Sequence, residues 1–321
     1  MKRIANRLLI FLTLVLALAA PVLAAEYLVP GGQLIGLELR SNAITVSAFD
    51  QTCSAAREAG LKVGDELLSI DGRAITSPVD IRDALNRSDG DVDVVVSREG
   101  RELAIRVEPS VTSEGPRLGV CLRQGVTGVG TVTFYDPDTG VFGTLGHGVS
   151  DAAGALMAMT EGCACPAAID SIDRGRIGAP GQIRGILNGD ARTGTLAKNT
   201  PQGVFGTFHT APEGDAIEVA APGEITTGPA TIRSTVSGDS PREYSVEIVK
   251  IYPDSPADGR NLLLKVTDPA LLQTTGGIIQ GMSGSPIIQD GKLVGAVTHV
   301  LVNDPTRGYG IFIENMLEAA G

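Results

Sequence analysis

From about Gly130 to its C-terminus the chain is built from short apolar runs. Each is stopped by Gly, Pro or Asp-Gly, as in GTVTFYDPDTGVFGTLGHGVSD and SPIIQDGKLVGAVTHV. Runs of this length bounded by these residues form strands closed by tight turns. Asp136–Gly140 is the expected turn between strands Thr131–Tyr135 and Val141–Leu145, and Asp290-Gly291 the turn of a hairpin near the end. The stretch 160–260 continues the pattern with pieces such as GVFGTF and EYSVEIVKIY. Many short strands at roughly even spacing point to an all-β barrel or sandwich. The 41 glycines, 7 Phe and absence of Trp in 321 residues agree with turns and short strands rather than long helices. GYGIFIENMLEAA closes the chain as a strand running into a short helix.

The N-terminus reads MKRIANRLLIFLTLVLALAAPVLAAEY: a basic start, an apolar run and a small-residue end. This is an export signal, cleaved or kept as a membrane anchor over residues 1–25, and it places the rest of the chain across the cytoplasmic membrane. The net charge is −11, and removing the basic leader makes the remainder more acidic still. Such a surface repels phosphate backbones and argues against nucleic-acid binding. Cys53, Cys121, Cys163 and Cys165 form no recognisable disulfide framework, and no His or further Cys lies near Cys163-Ala164-Cys165 to complete a metal site. No cofactor is required by anything in the sequence.

Residues 26–111 form a small α+β unit. Leu34–Leu39 and Ala43–Ala48 read as two strands, and AGLKVGDELLSIDGRAI places turns at Gly60, Gly64 and Asp71-Gly72 around the strand Glu66–Ile70. In SPVDIRDALNR, Ser77 caps a helix with Pro78 at its first position and Asp80 as an imperfect capping box. DVDVVVSREGRELAIRVEP alternates as a hairpin with Glu99-Gly100 at its turn. This order, above all AGLKVGDELLSIDG, resembles a bacterial protease-associated PDZ domain. The resemblance implies that Leu34-Ile35-Gly36-Leu37 is a carboxylate-binding loop holding a peptide C-terminus added as a strand. It also implies that Ile81 and Leu85 line or support the groove, against the simpler reading that both pack inward.

GGIIQGMSGSPIIQDG places Ser283 in a glycine-rich turn. A Ser hydroxyl needs a base and donors for the oxyanion it creates. The glycines let the Gly281 and Ser283 amides serve as those donors, and Gly284 removes bulk where a substrate carbonyl approaches. Of three histidines, His147 stands in an open Gly-flanked loop, His209 in a polar loop-like context, and His299 inside a strand expected to pack into the sheet. Asp268, in LLLKVTDPALL, is either a helix cap or the orienting acid; Asp151 is the runner-up.

The order His147, Asp268, Ser283 is that of chymotrypsin-like serine proteases, which are double β-barrels. The segments GTVTFYDPDTGVFGTLGHGVSD, AIDSIDRGRIGAPGQIRG and VTDPALLQTTGGIIQGMSGSPIIQDGKLVGAVTHVLVNDPTRGYGIFIENMLEAA together resemble the sporulation stage IV protein B (SpoIVB-type) peptidase family, with the PDZ domain in its expected place. The family implies a peptidase domain over 112–321, with catalysis by the residues matching His147, Asp268 and Ser283. It further implies export from the forespore into the space between the forespore membranes, and self-cleavage. It implies cleavage of a membrane-bound regulatory protein, releasing an intramembrane protease that activates a sigma factor. The PDZ groove would take a substrate C-terminus or the chain's own N-terminal segment. Two departures stand out: Gly148 where an apolar residue is expected, and the CAC segment, which puts the loop between 152 and 168 in doubt as a substrate contact. The rival readings are a non-catalytic exported PDZ adaptor and a general quality-control protease.

Overall fold

The computed structural model describes residues 27–113, 115–151, 154–253 and 259–321; the leader expected at 1–25 lies outside them. Among the described residues no helix is long and apolar enough to cross a membrane. The molecule is mostly β and contains two barrels and a smaller lobe.

The first barrel closes through the strands Val120–Tyr135, Val141–Thr144, Gly203–Phe208, Gly194–Thr200, Glu161–Asp173 and Leu34–Phe49, the last of which pairs back onto the first. Ile35, Leu37, Leu39, Val132, Phe142, Leu196 and Val204 fill it. The second barrel closes through Gly228–Ser234, Arg242–Ile251, Leu262–Val266, Asp304–Phe312, Lys292–Leu301 and Pro286–Gln289. Alternating residues such as Val246, Ile248, Leu262 and Leu264 point into its core, the period-two pattern of a half-buried strand. Closure removes the free sheet edges that so many short strands would otherwise expose. The C-terminal helix Ile313–Ala320 buries Ile313 and Met316 among Phe134, Phe205, Ala296 and Ile311, which come from both barrels.

The smaller lobe has its own core of Ile44, Val46, Leu67, Ile70, Ile81, Leu85, Val92, Val94, Val96, Val107 and Leu118. Its turns are those read from the sequence. Asp71-Gly72 and Glu99-Gly100 both have two positive φ angles, as does Asp290-Gly291 in the second barrel, the backbone of tight hairpin turns. Ser77 and Asp80 complete a full capping box, beyond the imperfect one expected. The buried Asp65 of the VGDELL stretch takes a two-point contact from Arg98, at 2.6 and 2.7 Å, and accepts from the Lys62 amide.

Two expectations change. Leu34–Leu39 and Ala43–Ala48 belong to one 16-residue strand, Leu34–Phe49, whose pairing with Val120–Tyr135 shifts register between Arg40 and Thr45. Its first half lies in the first barrel and its second half in the smaller lobe. Tyr27–Pro30 also pairs with a barrel strand. The division between domains therefore does not fall at 111/112 alone. The smaller lobe is an insertion carried at the end of a two-stranded ribbon, and residues 27–40 are part of the barrel body.

Candidate active site

Val141–Thr144 ends in Leu145 and Gly146, both at positive φ (70° and 66°). A β-carbon at this angle is strained, and such strain collects at functional positions. The turn carries His147 out of the first barrel to the seam with the second. Gly148 has no room for the apolar residue expected there: an added β-carbon would stand 2.7 Å from the Thr200 carbonyl and 2.3 Å from Leu156.

Ser283 lies on the other side of the seam, in the turn before Pro286–Gln289. Gly281 and Gly284 flank it at φ 98° and 94°, angles that glycine adopts without penalty. A β-carbon on Gly284 would fall 2.0 Å from the Thr131 carbonyl, so the serine turn is pressed against the first barrel. Thr131 and Thr133, both buried, fasten it there. Thr131 Oγ1 donates to the Gly281 carbonyl at 2.8 Å, Thr133 Oγ1 to the Gly284 carbonyl at 2.8 Å, and the Thr131 amide to the Ser283 carbonyl at 3.0 Å. Sequence reasoning missed both threonines. The only signal was TVT inside an apolar strand, which equally suits ordinary β propensity.

Amides along the turn alternate. Those of Gln280, Met282 and Gly284 donate to Gly181, Ile279 and Val297 carbonyls, whereas the Gly281 and Ser283 amides have no protein acceptor among the described residues. Those two are the donors expected for an oxyanion.

His147 and Ser283 line one cavity of about 610 Å³ between the barrels, with Gly281, Leu145, Thr298 and His299 also in its wall. The His147 Nδ1 lies 2.9 Å from the Gly148 carbonyl. A carbonyl only accepts, so Nδ1 carries the proton and Nε2 keeps its lone pair. Burial pushes the His147 pKa below its ordinary 6.5, opposed by the Gly148 contact; the ring is a neutral base. Ser283 Oγ donates to the Thr298 carbonyl at 2.7 Å, not to His147.

The expected third member is elsewhere. Asp268 caps the helix Pro269–Thr275, its Oδ1 accepting from the Ala270 and Leu271 amides at 2.9 Å each. No carboxylate stands among the described residues lining the cavity. Asp151 accepts from the Ala155 amide and faces a different cavity, beside the smaller lobe. His209 meets Thr195 on the exposed flank of the first barrel. His299, expected inside the sheet, lines the same cavity, with its ring 5.3 Å from that of His147. It sits past a register shift in the Lys292–Leu301 strand, and a bulge of this kind re-aims side chains in a way that alternation does not foretell.

The peptide-binding assignment is corrected. Leu34, Ile35, Gly36 and Leu37 are not a loop. They pair with Thr131–Gly128 on one side, and Ile35, Gly36 and Leu37 pair with Pro166–Ala164 on the other. Both edges are taken there, and no added strand can reach them. Ile81 and Leu85 are buried in the lobe's core, 6% and 3% exposed. Cys163 and Cys165 are buried thiols in the Glu161–Asp173 strand, pushed above their ordinary pKa first by burial; neither lines the cavity shared by His147 and Ser283. Among the described residues no group of three or more His, Cys, Asp or Glu is placed to hold a metal ion.

Two family models match separate stretches of the chain. A PDZ-domain model matches residues 51–98. Two curated relatives, provisionally named zinc metalloproteases R01501 of Rhizobium meliloti and Atu1380 of Agrobacterium fabrum, are 34% and 32% identical over 116 and 120 residues, or 36% and 37% of this chain. The chain covers only 30% and 31% of their lengths. Among solved structures, the Rv3671c protease of M. tuberculosis aligns in its inactive form over 60% of this chain and 84% of that one (15% identity, TM-score 0.37). Its active form aligns over 61% and 75% (16% identity, TM-score 0.39). A model of the SpoIVB peptidase S55 family matches residues 114–317, most of the chain and all of the site just described, and the chain belongs to that family.

Proposed function

We propose that this chain is an exported serine endopeptidase that cuts itself and a membrane-bound regulatory protein, and so triggers intramembrane proteolysis and sigma-factor activation during endospore formation. Family membership and the attached PDZ unit support the biological setting. One observation carries the chemistry: Ser283, two unpaired amides and a neutral imidazole meet in one cavity at the barrel seam.

In this reading Ser283 Oγ attacks the scissile carbonyl and His147 Nε2 takes its proton. The amides of Gly281 and Ser283 hold the oxyanion, and the imidazolium returns the proton to the departing amine. Water then repeats the sequence on the acyl-enzyme. Gly148 fixes the imidazole tautomer. Asp268 acts through the backbone, anchoring the helix that leads through Gly276-Gly277 into the serine turn. The PDZ lobe would receive a peptide along Val120–Arg123, which pairs with Thr45–Phe49 on one edge and has no strand partner on the other among the described residues.

One observation favours the adaptor alternative: the Ser283 hydroxyl is not hydrogen-bonded to His147. A fluorophosphonate probe separates the two readings. Stoichiometric labelling at Ser283, lost in Ser283→Ala and strongly reduced in His147→Ala, supports the peptidase; an unlabelled, folded wild type leaves the adaptor. Incubating wild type and Ser283→Ala with the candidate regulator and mapping cut sites then tests the substrate assignment.

A further inference from the structure

The charge pattern of the cavity bears on what it cuts. Apart from His147 and His299 no ionisable side chain stands among its described lining residues, and its walls are aliphatic: Val129, Leu145, Ile278, Ile279, Val300 and Val302. At about 610 Å³ it exceeds one side chain and suits a short stretch of extended peptide.

The wall nearest the nucleophile can be located. Ile278 and Ile279 precede Ser283 in the same turn. Thr298, whose carbonyl meets the Ser283 hydroxyl, is followed along its strand by Val300, and Val302 lies in the turn just past the strand's end at Leu301. Val300 pairs with Gly308, and a β-carbon on Gly308 would lie 2.6 Å from Ile278 Cδ1. Ile278 therefore lies against the Val300–Gly308 pair, and the two aliphatic side chains form a single patch in the wall of the cavity that Ser283 also lines. A substrate presenting its carbonyl to Ser283 brings the neighbouring side chain onto this patch. An aliphatic or aromatic group gains contact there, whereas a charged one loses its water with no counter-ion to replace it.

We infer that the site cuts beside an aliphatic or aromatic residue, with Ile278 and Val300 as the specificity-determining pair. This rests on the serine-peptidase reading. The test incubates the full chain with a peptide library and maps cut sites by mass spectrometry, after counting active sites with a fluorophosphonate. Wild type should cut next to Leu, Ile, Val, Met or Phe, at least ~10²-fold better in kcat/KM than next to Asp, Glu or Lys. Val300→Asp, at a half-buried position, should lower cleavage beside apolar residues by ~10-fold or more and raise it beside Lys and Arg. If Val300→Asp does not label, Val300→Ala replaces it and should lower cleavage beside apolar residues without raising it beside Lys and Arg. A labelled wild type that cuts beside charged residues, or without preference, overturns the inference and leaves the peptidase reading standing. So does a labelled variant at position 300 with unchanged preference. A wild type that neither labels nor cuts overturns both.

Discussion

Ser283 gives its hydroxyl hydrogen to the carbonyl of Thr298, 2.7 Å away. That carbonyl is available because the register of the Lys292–Leu301 strand slips between Val297 and His299, taking Thr298 out of the regular ladder with Asp304–Phe312. His147 stands in the wall of the same cavity, and in the proposed reaction the Ser283 hydroxyl leaves the Thr298 carbonyl for another staggered well. On the proposed reading, removing the hydroxyl deletes the reaction while leaving the scaffold. Ser283→Ala should lose on the order of 10⁶ in kcat if the pair acts as a unit. It should change unfolding free energy by no more than about 1–3 kcal/mol, the scale of leaving one buried carbonyl without its donor. Rate assays beside denaturant melts check this, and a variant that keeps its rate removes Ser283 from the chemistry.

Asp268 offers a clean discrimination between a cap and a catalytic acid. As a cap it needs only a short side-chain acceptor, which Asn also provides. Asp268→Asn should keep kcat within a few-fold and stability nearly unchanged, while Asp268→Ala should cost ~1 kcal/mol through the helix Pro269–Thr275. A triad carboxylate behaves otherwise: the Asn variant would fall by ~10⁴. Parallel measurement of kcat and melting temperature for the two variants decides, and a 10⁴ loss with intact stability would restore Asp268 to the triad.

The pH profile follows from His147. Burial lowers its pKa below 6.5 in the folded chain. The base form is thus present down to pH values where an exposed His is already charged, and activity is lost only as pH falls through the depressed value. Folding obeys the same sign. Between the folded pKa and 6.5 the unfolded chain binds the proton and the folded one does not. The contribution to stability is therefore full above 6.5 and is lost as pH falls toward the folded value. The acid limb of kcat/KM should have its midpoint below 6.5; a midpoint at or above 6.5 would remove His147 as the buried base.

What could be read from the chain was local. The Asp136–Gly140, Glu99-Gly100 and Asp290-Gly291 turns, the Ser77 cap and the glycine-flanked Ser283 all depend on residues within a few positions of one another, and backbone rules at that range are strict. The recurrence of such turns points to an all-β barrel or sandwich, and the double barrel is implied only by the chymotrypsin-like residue order and the family resemblance. What could not be read was set by pairing across long separations. Leu34–Leu37 looks like a PDZ loop because its sequence is compatible with one. Only its registry with Gly128–Thr131, and that of Ile35–Leu37 with Ala164–Pro166, shows a doubly paired barrel strand. The Asp-Pro of Asp268-Pro269 fits a helix start and a catalytic acid equally well, and only the position of the helix separates them.

The two threonines that hold the serine turn make the last case. Thr131 and Thr133 are 1% and 0% exposed, and each spends its hydroxyl on a carbonyl of the turn, Gly281 and Gly284 respectively. Valine keeps their shape but leaves a buried carbonyl without its donor, at a cost of about 1–3 kcal/mol. The Gly281 carbonyl belongs to the peptide plane directly after the Gly281 amide. Loosening it displaces the oxyanion donors, and an error near 1 Å at such a site costs ~10² in rate. Thr131→Val should therefore lower kcat by ~10- to 100-fold with little change in KM, and Thr131→Ser, which keeps the hydroxyl, should restore most of it. Thr133→Val should lower stability more than it lowers kcat, because the Gly284 carbonyl lies on the far side of the nucleophile from the Gly281 amide. Equal losses in the Val and Ser variants at position 131 would show that packing, not the hydrogen bond, sets the geometry of the turn.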